Sequence, residues 1–85
     1  MQNKKAINDK NVWLKTVTDL RKKHSLPQKV MAEKLGISVS TLRKIEKGIF
    51  PERIGVEIVF RIDDEFGVSI REQFNPGFSI SKNNF

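Results

Sequence analysis

Apolar side chains recur at helical spacing in the first part of the chain. Trp13, Val17 and Leu20 are separated by four and three residues, so they fall on one side of an α-helix. His24 lies four residues further on and continues the same stripe. The pattern therefore predicts a first helix over residues 11–24.

Proline and glycine residues divide the next stretch into two short helices. Pro27 suits the first turn of a second helix because its φ is held near −65°. Gly36 is expected to end that helix just after Leu35. Ser38 can then cap a third helix with its hydroxyl group, and Gly48 is expected to stop it.

Two further helices are predicted before the polar end of the chain. The fourth has an apolar stripe, made of Ile58, Val59, Ile62 and Phe66. It is expected to end at Gly67. Ser69 and Glu72 then form the Ser-x-x-Glu capping box of a fifth helix, whose apolar residues are Ile70 and Phe74.

The chain of 85 residues suits one small domain without internal repeats. We divide it into an N-terminal polar arm at residues 1–10, a helical domain at 11–75 and a C-terminal tail at 76–85. The tail is rich in Asn, Ser and Gly but also carries Phe78, Ile80 and Phe85. We interpret it as a segment that is either frayed or added to a partner.

Composition argues against several classes of protein. The sequence has no cysteine and a single histidine, which rules out a disulfide framework and leaves a zinc site without ligands. It has no apolar run long enough for a membrane span and no apolar signal-peptide core, so we expect a cytoplasmic protein. A domain this small has little stability to spare for a catalytic cleft, and no nucleophile-base pair is evident. We therefore expect neither an enzyme nor a cofactor.

Positive charge is concentrated in the first half of the chain. Sixteen Lys and Arg residues face ten Asp and Glu residues, for a formal net charge of +6. Residues 1–50 carry a net charge of +8 and residues 51–85 a net charge of −2. This positive charge suits binding to a polyanion such as DNA. It would also attract anionic lipids, and charged residues on solvated helix faces would give the same charge pattern.

Residues 28–47 combine two short helices and a tight turn. Gly36 supplies the positive φ that the turn needs, and Ala32 is small enough for two helices to cross closely. The angle between the helices is expected to be filled by Val30, Met31, Leu35, Ile37, Leu42 and Ile45. The side chains left outward on the second helix are Val39, Ser40, Thr41, Arg43, Lys44 and Lys47.

This stretch resembles the Cro and phage-repressor type of helix-turn-helix regulator, the XRE family. The matching strings are Leu26-Pro27-Gln28, Met31-Ala32, Leu35-Gly36-Ile37, Ser38-Val39-Ser40-Thr41-Leu42 and Ile45-Glu46-Lys47-Gly48. Phe66-Gly67-Val68-Ser69, followed by Phe74, is similar to the closing helix of the family. The resemblance covers about residues 14–74. It implies an all-α, compact five-helix bundle of the lambda-repressor-like type that binds double-stranded DNA, represses transcription and forms a homodimer.

The resemblance also implies roles for individual residues. The third helix, at residues 38–47, would read the major groove of DNA. The positions that would contact bases are Val39, Ser40 and Lys44. Those that would contact phosphates are Gln28, Thr41, Arg43 and Lys47. Arg21 and Glu46 would form a structural ion pair.

Other interpretations of these features stay open at this point. The same helices could hold a protein, as in an antitoxin or adaptor module, and such a module would bind DNA weakly and with little salt dependence. Val56 and Phe60 fall outside the fourth stripe and could serve either a dimer or the core. The acidic run Asp63, Asp64 and Glu65 is expected to be solvated, because consecutive residues of a helix point in different directions.

Overall fold

Five α-helices make up most of the described part of the chain. The structure is a computed structural model that describes residues 2–76, with side-chain detail from residue 10 onward. The helices are α1 (Gln2–Lys23), α2 (Gln28–Leu35), α3 (Val39–Glu46), α4 (Glu57–Phe66) and α5 (Ile70–Gln73). No strand occurs within residues 2–76. The predicted all-α, five-helix fold is therefore confirmed.

The first helix begins earlier than its apolar stripe predicted. α1 starts at Gln2 and not near residue 11, so from residue 2 onward the predicted polar arm belongs to this helix. Residues 2–10 contain no Pro or Gly, and Lys, Gln and Ala all favour helix. An apolar stripe marks where a helix meets the core, and it does not mark where the helix starts. The predicted tail, apart from Pro76, lies outside the described residues.

The predicted ends of α2 and α4 and the predicted N-cap of α3 are confirmed. α2 ends at Gly36, whose φ is +72°, and α4 ends at Gly67. The hydroxyl of Ser38 accepts a hydrogen bond from the backbone N–H of Thr41 at 3.0 Å and caps α3. α3 is shorter than the predicted span of 38–47, because Ser38 and Lys47 are its cap residues, and it ends before Gly48, which was expected to stop it.

One apolar core joins α1, α2, α3 and α4, and it includes Val68 in the loop before α5. Its buried apolar residues are Trp13, Leu14, Val17, Leu20, Met31, Ala32, Leu35, Leu42, Ile45, Ile58, Ile62 and Val68. α1 packs on α3 and α5, α2 packs on α3 and α4, and α4 packs on α5. α3 is thus held from one side by α1 and α2, which leaves its other side to solvent.

α5 is a single turn with the predicted capping box, and a buried polar residue fixes it to the core. Gln73 is fully buried, and its Oε1 accepts a hydrogen bond from Nε1 of Trp13 at 3.0 Å. Its Nε2 donates to the backbone carbonyls of Val59 and Val68 at 2.9 and 3.1 Å. Ile70, which was expected to be an apolar contact of this helix, is 40% exposed. Gln73 therefore anchors α5 in place of Ile70.

Candidate nucleic-acid interface

α3 has an apolar side that is buried and a polar side that faces solvent. Leu42 and Ile45 are buried against the core. Ser40, Arg43 and Lys44 are exposed, and no part of the described chain covers them. The helix that was predicted to read DNA therefore presents hydroxyl and cationic groups outward.

The three predicted base-contact residues do not share one environment. Ser40 and Lys44 are exposed. Val39 is only half-exposed, because part of its side chain packs against the core. In this structure Val39 offers a smaller contact area than the other two positions.

The predicted phosphate-contact residues also differ in their contacts. Thr41 is half-buried and belongs to the N-cap of α3, since its hydroxyl accepts a hydrogen bond from that of Ser38 at 3.0 Å. Lys47 is exposed at the C-terminal end of the helix. Gln28 and Arg43 lie together, with Arg43 Nε 3.4 Å from Gln28 Oε1. The four positions thus lie along the length of α3 and at the start of α2.

A brace formed by the side chains of Arg21, Gln28 and Glu46 holds α3 against α1 and α2. The carboxylate of Glu46 accepts a hydrogen bond from Nη2 of Arg21 at 2.9 Å and a second one from Nε of the same guanidinium group. It also accepts a hydrogen bond from Nε2 of Gln28 at 3.0 Å. Arg21 Nη1 in turn donates to the backbone carbonyl of Leu26 at 2.9 Å. The Arg21–Glu46 ion pair is therefore present and joins the C-terminal turns of α1 and α3.

The environment of this pair favours its charged form. Burial of Glu46 disfavours the carboxylate, but hydrogen bonds from Arg21 and Gln28 and the nearby positive charge outweigh that effect. The pKa of Glu46 consequently lies below its ordinary value. The hydrogen bond to Glu46 likewise raises the pKa of Arg21, against the opposing effect of burial. Arg21 and Glu46 therefore both stay ionised, and their opposite charges neutralise each other.

A cavity beside α3, with Ile49 and Arg53 in its lining, was not predicted from the sequence. Residues of the loop after α3 line a cavity of about 450 Å³ beside Thr41 and Lys44. The exposed loop residues Ile49 and Arg53 lie at this cavity. Neither belongs to a helical stripe or a motif, so no periodic signal could have identified them.

The described acidic side chains do not form a cluster suited to a metal ion. Asp63, Asp64 and Glu65 are all exposed on α4, and Glu65 accepts a hydrogen bond from the ammonium group of Lys34 at 3.2 Å. No group of three or more potential metal-ligating side chains comes together within the described residues.

None of the helices within the described residues combines the length and the apolar character of a membrane span.

Comparison with known proteins identifies the arrangement of α2 and α3. A family model described as helix-turn-helix matches residues 17–73. The match extends from the C-terminal part of α1 to the end of α5, so it includes the brace, the turn and the exposed side of α3. No curated protein matches the chain significantly. No solved structure does so either.

Proposed function

The chain belongs to the helix-turn-helix family of the Cro and phage-repressor (XRE) type, and on that premise we propose that α3 reads the major groove of double-stranded DNA. The family consists of DNA-binding transcription regulators and is not typically enzymatic. The observation that carries the proposal is the orientation of α3, with Leu42 and Ile45 buried and Ser40, Arg43 and Lys44 exposed. A helix held in this way can enter a groove about 12 Å wide.

Base contacts are assigned to Ser40, Lys44 and Val39. The ammonium group of Lys44 can donate hydrogen bonds to the O6 and N7 acceptors of guanine. Ser40 can donate to or accept from several bases, and the half-exposed Val39 can contact a thymine methyl group. This set predicts modest selectivity that is centred on one G·C pair.

Phosphate contacts are assigned to Gln28, Thr41, Arg43 and Lys47. Arg43 and Lys47 are exposed cations at successive turns of α3. The side-chain amide of Gln28 donates one hydrogen bond to Glu46, and its second N–H is available for a phosphate oxygen. The brace thereby gives Gln28 a defined position for that contact.

The proposal includes a homodimer that acts as a repressor in the cytoplasm. One small module buries too little surface to discriminate well between DNA sequences, whereas two modules read half-sites one turn apart. Phe60 on α4 is 53% exposed and suits an apolar contact between two protomers. Occupation of a promoter by such a dimer would block transcription.

Salt dependence of DNA binding tests the proposal. Two cationic phosphate contacts per protomer make four per dimer, so affinity should fall on the order of 100-fold between 50 and 200 mM salt. Lys44→Ala should relax the preference at one base pair and cost about 1–3 kcal/mol on the preferred duplex. Both quantities follow from titrating a duplex selected from a random pool and its single-base variants.

Arg71→Ala is the matched control, because Arg71 is an exposed cation on α5, which packs on α1 and α4. It removes one positive charge and should leave base preference unchanged. Weak binding that does not depend on salt would contradict the proposal and favour a protein-interaction module. Equal effects of the two substitutions would contradict the base-reading role of Lys44.

A further inference from the structure

An apolar groove lies on the molecule between α1, α4 and the loop that connects α3 to α4. Its volume is about 330 Å³. The rings of Trp13 and Phe74 stack with centroids 6.4 Å apart, and Phe50 meets Trp13 edge-on at 5.8 Å. Ile54 and Val56 also line the groove, and most of its lining within the described chain is apolar. Val56 is 65% exposed, so the groove is open to solvent.

The chain itself leaves the described domain at the edge of this groove. Phe74 lines the groove, and only Asn75 and Pro76 follow it in the described range. Pro76-Gly77 is the pair that favours a type II turn, with Pro at its second position and Gly at its third. Residues 77–85 can span up to about 30 Å when extended, which is ample to follow the groove.

The residues after this turn have the composition that the groove requires. Phe78 and Ile80 alternate with Ser79 and Ser81, and this stretch carries no charge before Lys82. In an extended segment, alternate side chains point to the same side. Phe78 and Ile80 can therefore face an apolar surface together while both serines face water.

We propose that Phe78 and Ile80 of the same chain occupy the groove beside Trp13. The short tether at Pro76 favours this chain over a second copy, because a short linker gives an effective concentration in the millimolar range. The docked segment would cover Phe50, which also lines the cavity beside Lys44. It would thus hold the loop after α3 in place. This inference does not depend on the proposed DNA binding.

Nuclear Overhauser contacts in the full-length protein test the inference directly. Trp13 is the only tryptophan, so its indole resonances are unambiguous. We expect contacts from the indole to the side chains of Phe78 and Ile80, with intensities that do not change on dilution. A mixture of labelled and unlabelled chains should show none of these contacts between molecules.

Substitutions in the tail provide a second measurement. The double variant Phe78→Ser and Ile80→Ser should lose the contacts and shift the methyl resonances of Val56, which is 65% exposed in the groove. The matched control, Ser79→Ala with Ser81→Ala, should retain both signals of the parent protein. Circular dichroism verifies that each variant is folded. If a variant does not fold, the Overhauser contacts in the parent protein still test whether the tail occupies the groove.

Three results would overturn the inference. The first is the absence of any contact between Trp13 and the tail in the parent protein. The second is a set of contacts found only between molecules, which would assign the groove to a second copy. The third is a folded Phe78→Ser and Ile80→Ser variant whose Val56 methyl resonances match those of the control.

Discussion

Glu46 connects three helices through a single carboxylate. It accepts hydrogen bonds from Arg21 at the end of α1 and from Gln28 at the start of α2, while it lies in the last turn of α3. Its side chain is 11% exposed and that of Arg21 is 19% exposed, so water screens the pair only weakly. The position of α3 therefore depends on an interaction whose strength follows the ionisation of one group.

Glu46→Gln should lower the free energy of unfolding at pH 7 by about 1–3 kcal/mol, the usual contribution of hydrogen bonds to charged groups. Because folding lowers the pKa of Glu46, the stability it contributes is complete above the ordinary pKa of 4.5 and is lost as pH falls through the folded value. The difference in unfolding free energy between the parent protein and the variant should therefore decrease at acidic pH. Urea titrations between pH 7 and pH 3 measure it.

Asp19→Asn is the control for that experiment. Asp19 forms an ion pair with Lys15 at 3.0 Å within α1, but the two side chains are 40% and 76% exposed. Exposed pairs contribute about 0–1 kcal/mol, so this variant should stay close to the parent at every pH. A Glu46→Gln variant that loses no more stability than Asp19→Asn would disprove the bracing role.

Gly36 combines a positive φ with a close neighbour. A methyl group built on it would lie 2.9 Å from Nε of Arg61, whereas one built on Gly48, also at positive φ, would contact nothing within 4 Å. Gly48→Ala should cost about 1–2 kcal/mol from the left-handed backbone alone. Gly36→Ala should cost a further 0.5–1.5 kcal/mol or so, since Arg61 must leave its rotamer.

A double-mutant cycle separates these two contributions. In an Arg61→Ala background, Gly36→Ala should cost no more than Gly48→Ala does, because the side chain in its way is gone. Thermal or urea unfolding of the five proteins supplies the numbers. If the excess cost of Gly36→Ala persists without Arg61, a contact with Arg61 does not explain it.

At the scale of elements, predictability from sequence depended on whether the signal was local. Gly36 and Ser38 mark the turn between α2 and α3 through backbone φ and a cap three residues away, so those boundaries could be predicted. The start of α1 could not, because residues 2–10 lack an apolar stripe and still favour helix. Burial of Gln73 could not be predicted either, since its partner Trp13 is 60 residues away in the chain.

α5 needs that distant partner because one turn cannot sustain itself. A single helical turn fixes several residues for one hydrogen bond and is unstable in isolation. Gln73→Ala would leave the indole N–H of Trp13 and two backbone carbonyls without their bonds. We expect a loss of about 3–5 kcal/mol in unfolding free energy, from unsatisfied polar groups and a cavity.

Arg71→Ala, two residues earlier in α5, is the comparison for this variant. Its side chain is exposed, so the substitution should change stability by no more than about 0.5 kcal/mol. Chemical unfolding followed by Trp13 fluorescence measures both proteins. Equal stabilities for the two variants would mean that α5 is held by its apolar contacts and not by Gln73.

The whole molecule separates its charges in a way that suits DNA. Arg43, Lys44 and Lys47 follow one another along α3, and the first turns of α2 and α3 contain no acidic residue. The acidic run at residues 63–65 lies on α4, which packs on α2 and α5. The charge bias of the first half could be predicted from sequence. The set of cations on the exposed side of α3 could be identified only from the orientation of that helix in the structure.

Nuclear magnetic resonance mapping of the DNA complex tests the central claim most directly. Backbone amide resonances should be recorded while a duplex selected from a random pool is added to the full-length protein. We expect the largest shift changes at residues 39–44 and at Gln28, with α5 almost unaffected. Changes centred on Val56 and Phe60 with none in α3, or no changes even at low salt, would contradict the claim that α3 reads DNA.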